Sequence, residues 1–167
     1  MADVFIEHLI TRKKSPISRL IGVAYIFVLV LLTALTILFE LIPLLPAVLV
    51  LGTWLVVRLI KNFDIEFEYI VTNGEIDIDR IIGKRKRKRL ITLDSRAFEI
   101  LAPDAECNFS AYKNTEFKQR IDASSGKNPR YFAVCPSKMG GKLLLYFEPN
   151  ERMLEAFKMY NQRAVRQ

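Results

Sequence analysis

Six consecutive cations, Lys84-Arg85-Lys86-Arg87-Lys88-Arg89, are the residues of this chain best placed to do chemistry with a ligand. A block of like charge repels itself and needs anions nearby. Three anions fit: phospholipid headgroups, acidic side chains of the same chain, or nucleic acid. A single-stranded nucleic-acid platform interleaves its cations with aromatic rings for base stacking. This run has no aromatic residue, so nucleic acid is not an expected partner. The net charge of +7 and a pI near 9.5 point to an anionic partner for the chain as a whole.

Covalent and acid–base chemistry find little support. The one histidine, His8, lies in the N-terminal segment, so a Ser-His or Cys-His pair is not expected in the folded domain. Cys107 and Cys135 have no metal-ligand spacing and no disulfide framework, which suits a reducing compartment. Ser124-Ser125-Gly126 reads as a turn and lacks the G-x-S-x-G of a nucleophile elbow. Gly140-Gly141 suits a hairpin turn; no P-loop or G-x-G-x-x-G occurs. Glu66, Glu68, Asp77 and Asp79 cluster on neighbouring strands but lack EF-hand spacing. The expectation is a non-enzyme with no catalytic residue, cofactor or metal.

The elements that position the basic run begin in a membrane. Leu20 to Phe39 is an uncharged run of twenty residues, and Leu41 to Val57 is a second apolar run, with only Glu40 between them. About 20 apolar residues cross a bilayer as a helix. Ser15-Pro16 is a helix start, with serine as cap and proline in the first turn. The first helix is expected from Pro16 to Phe39, a turn over Glu40–Pro46, and a second helix to about Ile60. The first run is too long for a cleaved signal peptide's apolar core. Arg12, Lys13, Lys14 and Arg19 flank the first helix; Arg58 and Lys61 flank the second; the tip carries Glu40 alone. The positive-inside rule then puts both termini in the cytoplasm and the chain in the plasma membrane, as a multi-pass protein. Residues 1–15 form an N-terminal cytoplasmic segment, read as either a short interfacial helix or a tail.

From Phe63 the apolar period changes to two, as Phe63, Ile65, Phe67, Tyr69 and Val71 alternate with polar residues. Asn73-Gly74 marks a tight hairpin. Further strands are expected over Ile76–Ile78, Leu90–Leu93 with a start as early as Arg87, Ala97–Ala102, Lys118–Ala123, Tyr131–Cys135 and Lys142–Phe147. Ala105–Phe117 reads as a loop with a helical turn. Asn150 caps a last helix whose stripe is Met153, Leu154, Phe157 and Tyr160. The expected boundaries are a hairpin over 16–61, a folded domain over 62–162 and a polar tail over 163–167.

Seven short strands and one amphipathic helix are the layout of a pleckstrin-homology barrel. The chain resembles an uncharacterised family of small membrane proteins from Gram-positive anaerobes, with an N-terminal two-helix hairpin and a PH-like domain. The residues that carry the resemblance are Phe5-Ile6-Glu7, Arg12-Lys13-Lys14, Tyr69 to Gly74, the Lys84 to Arg89 run, Ile121 to Gly126 and Phe147 to Glu151. It implies an α+β fold: a transmembrane hairpin, then a PH-like seven-stranded antiparallel barrel with a C-terminal helix. It brings no activity, because PH-like folds host unrelated functions.

Topology then places the basic run. The first strand starts beside the membrane, Asn73-Gly74 is distal, and the second strand returns, so Lys84–Arg89 should face the inner leaflet. Each such cation contributes about 1 kcal/mol near an anionic surface. Competing uses are a topology signal and neutralisation of the acidic face, where Glu68 is expected opposite Asp79. The expected function is a non-catalytic, membrane-tethered binding or scaffolding module that contacts anionic phospholipid or an unknown protein partner. The alternative is an accessory subunit assembled through the hairpin itself.

Overall fold

A computed structural model describes residues 4–14, 16–105, 109–112, 114–127, 129–137 and 140–166. The chain divides into two compact units. One contains residues 14–65 and 82–85; the other contains residues up to 13, 66–81 and from 86 onward.

The first unit is built on helices α1 (Pro16–Leu38) and α2 (Leu45–Lys61), joined by a short 3-10 turn over Ile42–Leu44. Proline at the first position of α1 and again in the first turn of α2 sets φ for helix entry without losing a hydrogen bond. Ser15, the expected cap of α1, lies outside the described residues. The two helices run antiparallel. A Cβ on Gly22 would meet Ile60, and one on Gly52 would meet Leu29. Small residues at such points let helix backbones approach closely. Pro16–Leu38 and Ile42–Lys61 are each long and apolar enough to cross a membrane, and most of their large apolar side chains are exposed.

The second unit has two four-stranded sheets. The first has the order β1-β2-β3-β4, from Phe5–Thr11, Ile65–Thr72, Glu75–Ile82 and Lys86–Asp94. The second has the order β5-β7-β8-β6, from Ile100–Pro103, Tyr131–Pro136, Lys142–Phe147 and Phe117–Asp122. Helix α3 (Glu151–Tyr160) follows β8, with the Asn150 side chain accepting from the Met153 N–H as expected of a cap. Its Met153, Leu154, Ala156 and Phe157 are buried, and Phe157 meets Phe98 and Phe147 edge-on.

Three expectations are corrected. The N-terminal segment is neither an interfacial helix nor a tail but strand β1, antiparallel to β2 from Phe5↔Thr72 to Thr11↔Glu66. Ile10 is buried while Phe5 and Leu9 are exposed, which is a period of two. A helix this short does not nucleate alone, whereas the free edge of β2 satisfies every second backbone group. The barrel is not closed, nor wholly antiparallel: the described strands number eight in two open sheets, and β6 runs parallel to β8. Strand β6 can do so because its chain then crosses the end of β8 before returning as β7 on the far side. The last residues are not a free polar tail. Ala164 is buried, the Leu101 N–H donates to its carbonyl, and the Arg166 N–H donates to the Leu101 carbonyl.

The Tyr69 hydroxyl lies deep in the sheet unit, donating to the Ala123 carbonyl at 2.6 Å. Burial, with the nearby negative charge of Glu148 and Asp122, pushes its phenol far above the ordinary value of 10.0. The unfolded chain therefore releases this proton near pH 10 while the folded chain keeps it. The Tyr69 contribution to stability is complete below that pH and falls as pH rises above it. Urea midpoints measured from pH 9 to 11.5 should decline, and Tyr69→Phe should lessen the decline above pH 10 while leaving the part that the buried Cys135 thiol contributes. An equal slope in the variant would mean that Tyr69 is not the group responsible.

Candidate functional site

The last turn of α2 carries Arg58 and Lys61, where cations complement the negative end of the helix dipole. The helical path continues briefly, with the Phe63 N–H donating to Ile60 and the Asp64 N–H to Lys61. The turn between β3 and β4 is then drawn onto this end by one short hydrogen bond, Gly83 N–H to the Asp64 carbonyl at 2.7 Å. Gly83 sits at φ +59°, and a Cβ there would stand 3.0 Å from the Lys61 carbonyl oxygen. Only glycine accepts both conditions without strain. Lys84, at φ 55°, completes the tight reversal.

This close approach assembles four cations from distant parts of the sequence. Arg58, Lys61, Lys84 and Arg85 line an open cavity of about 480 Å³, together with Trp54, Val57, Asp64 and Gly83. The Arg58 guanidinium lies over the Trp54 ring, 5.2 Å from its centroid. Asp64 is the one carboxylate in the lining, and its side chain meets Lys14 Nζ at 2.7 Å. The cavity therefore keeps an excess of positive charge beside an apolar wall. A ligand that fits has anionic oxygens at one end and hydrocarbon at the other.

The remaining expected basic residues are dispersed. Lys14 and Arg19 line a separate groove with Ser18, Gly22, Val23 and Ile60. In the sheet unit, the Arg12 guanidinium lies over Phe67, and the Lys13 N–H donates to the Ser125 carbonyl. The six-residue run itself divides. Lys84 and Arg85 belong with the helices, and Lys86 to Arg89 open strand β4 in the sheet unit. Arg87 meets Glu68 at 2.6 Å and Asp79 at 3.9 Å; Arg89 meets Asp77 and Asp79, each at 2.7 Å. Its hydrogen bond to Asp79 raises the Arg89 pKa above the ordinary arginine value. Arg87 thus bridges the two carboxylates expected to repel each other. Among the described residues, Lys86 and Lys88 make no ion pair.

His8 is not remote from the folded domain, as its sequence position suggested. It lies in β1 opposite Tyr69, with the ring centroids 6.0 Å apart. Cys135 is fully buried in β7, and burial together with Glu99 pushes its thiol up to about 11, the opposite of an activated nucleophile. Cys107 lies outside the described residues. Among the described residues no three His, Cys, Asp or Glu side chains are grouped to hold a metal.

Two features escape sequence reading. Trp54 lies inside an apolar run and gives no sign that it walls a charged cavity. Glu148, 4% exposed, accepts from the Ser125 N–H at 2.6 Å, from its hydroxyl at 2.8 Å and from the Gly126 N–H at 3.2 Å. Only the proximity of Ile121–Gly126 to Phe147–Glu151 in the fold reveals that pairing.

A family described as Bacterial PH-like domain (DUF6106) matches residues 2–167. No curated protein and no solved structure shows significant similarity to the chain.

Proposed function

The chain belongs to the bacterial PH-like domain family, and from that premise we propose a non-catalytic binding module tethered to the inner leaflet of the plasma membrane. The observation that carries this reading is the outward-facing apolar surface of α1 and α2. Leu20, Phe27, Leu38, Val50 and Leu51 are each more than 60% exposed. In water a continuous apolar surface of this size would drive association. Hydrocarbon covers it without cost. The basic residues gather at the ends of the helices away from Glu40, which supports cytoplasmic termini and a cytoplasmic sheet unit.

Alkaline carbonate washing should leave the full chain in the membrane pellet. Protease added outside intact cells should leave residues beyond 62 uncut, while protease added to inverted vesicles should remove them. Release into the soluble fraction, or cleavage from outside, would defeat the proposal. Replacing residues 16–61 by an unrelated two-helix anchor separates a binding module from an accessory subunit. Retained partner capture supports the former; loss of capture with the sheet unit still folded supports assembly through the helices.

A further inference from the structure

The cavity at the end of α2 is the part of the molecule whose chemistry the fold alone leaves unused. Its four cations face a common space, and the lining carboxylate is paired with Lys14. Arg87 and Arg89 are engaged within the sheet unit, and so the number of cations in the basic run says little about where a ligand binds. What distinguishes Lys84 and Arg85 is that the Gly83–Asp64 hydrogen bond holds them to Arg58 and Lys61.

We infer that this cavity, lined by Trp54, Arg58, Lys61, Lys84 and Arg85, is a binding site for the phosphate of an anionic phospholipid. The inference rests on the membrane-tethered reading above. The phosphate oxygens take charge-assisted hydrogen bonds from Arg58 and from the β3–β4 turn. Trp54 and Val57 lie along α2 toward its apolar length and supply the wall against which the glycerol and upper acyl chain pack. Tryptophan commonly occupies this interfacial level. A free phosphate would use the cations but leave that wall empty, and on this ground the occupant is assigned as lipid. Bound lipid would join the turn to the helix end through the same headgroup.

Trp54 is the only tryptophan in the chain, so its fluorescence reports on this cavity alone. The test uses the full chain in nanodiscs of phosphatidylcholine with increasing phosphatidylglycerol or phosphatidic acid. The expected result is a saturable change in Trp54 emission at low anionic fraction. Lys84→Gln with Arg85→Gln should raise the half-saturating fraction by about tenfold or more, since each cation near an anionic surface contributes comparably. Lys86→Gln with Lys88→Gln should leave it within about twofold, because neither lysine lines the cavity and so neither meets the headgroup held there. Equal responses from the two double variants would overturn the site and indicate diffuse charge attraction. An equal response to inorganic phosphate in pure phosphatidylcholine discs would overturn the assignment to lipid. Brominated phosphatidylcholine separates this from the premise. Quenching of Trp54 by bromine without any anionic-lipid response would sink the site while leaving the inserted hairpin intact. Absence of quenching would sink the tethered reading itself.

Discussion

Replacing Glu148 with alanine should lower the thermal unfolding midpoint of the full chain in detergent by about 10–20 °C, the equivalent of about 3 kcal/mol for a domain of this size. The carboxylate sits just beyond the end of β8, where the chain from β6 crosses to become β7. Ser125 and Gly126 in that crossing present two N–H groups and a hydroxyl to it. Ser125 also supplies its carbonyl to the Lys13 N–H, and its hydroxyl accepts from the Lys127 N–H. Alanine leaves these buried donors without an acceptor, and each unsatisfied buried donor costs about 1–3 kcal/mol. Amide exchange at Ser125 and Gly126 should accelerate more than exchange in β2. Glu148→Gln should fall between alanine and the native chain, because its amide keeps one acceptor oxygen but turns a second donor toward the same N–H groups. A midpoint within about 2 °C of native for the alanine variant would show that water or a neighbouring group replaces the carboxylate at little cost.

The second large effect divides the basic run by function. Arg87→Gln with Arg89→Gln should destabilise the sheet unit by about 2 kcal/mol, read as a lower urea midpoint. Asp79 is 3% exposed and depends on both arginines. Removing them leaves a buried carboxylate unpaired, which costs about 3–5 kcal/mol at full burial. Both guanidinium groups are half in solvent, and screening reduces the figure. Lys86→Gln with Lys88→Gln should change stability by less than about 0.5 kcal/mol, as for surface positions without a buried partner. If the lysine pair proved as costly as the arginine pair, charge density rather than the Asp79 pairing would be what the strand provides. Thr92 adds to this cluster by donating its hydroxyl to Asp77.

Elements whose physics is local were readable from the chain. Asn73-Gly74 gave the hairpin, with both residues at positive φ. Pro16 began α1, and Asn150 capped α3 through Met153. The period of two along β2 placed Phe67, Tyr69 and Val71 in the core. Elements that depend on a partner were not readable. Phe5–Thr11 had too few residues to show its period against the competing helix, and only the open edge of β2 made it a strand. Phe117–Asp122 looked like any other strand, and its parallel pairing with β8 came from the crossing that follows it. Ala164 and Arg166 carried no apolar pattern, yet the backbone of Leu101 accepts and donates to them.

The candidate site divides in the same way. Composition and order alone determined that the chain has two apolar helices and a basic run after a second strand. Those properties follow from side-chain type and chain connectivity. Which cations share a space was decided by tertiary structure. Six adjacent charges look equivalent in a sequence, but a strand sends alternate side chains to opposite faces and a tight turn directs its own elsewhere. Arg87 and Arg89 met the carboxylates of β2 and β3, whereas Lys84 and Arg85 met the end of a helix more than twenty residues earlier. The physical reason is the single backbone hydrogen bond at Gly83, a contact that no local pattern encodes.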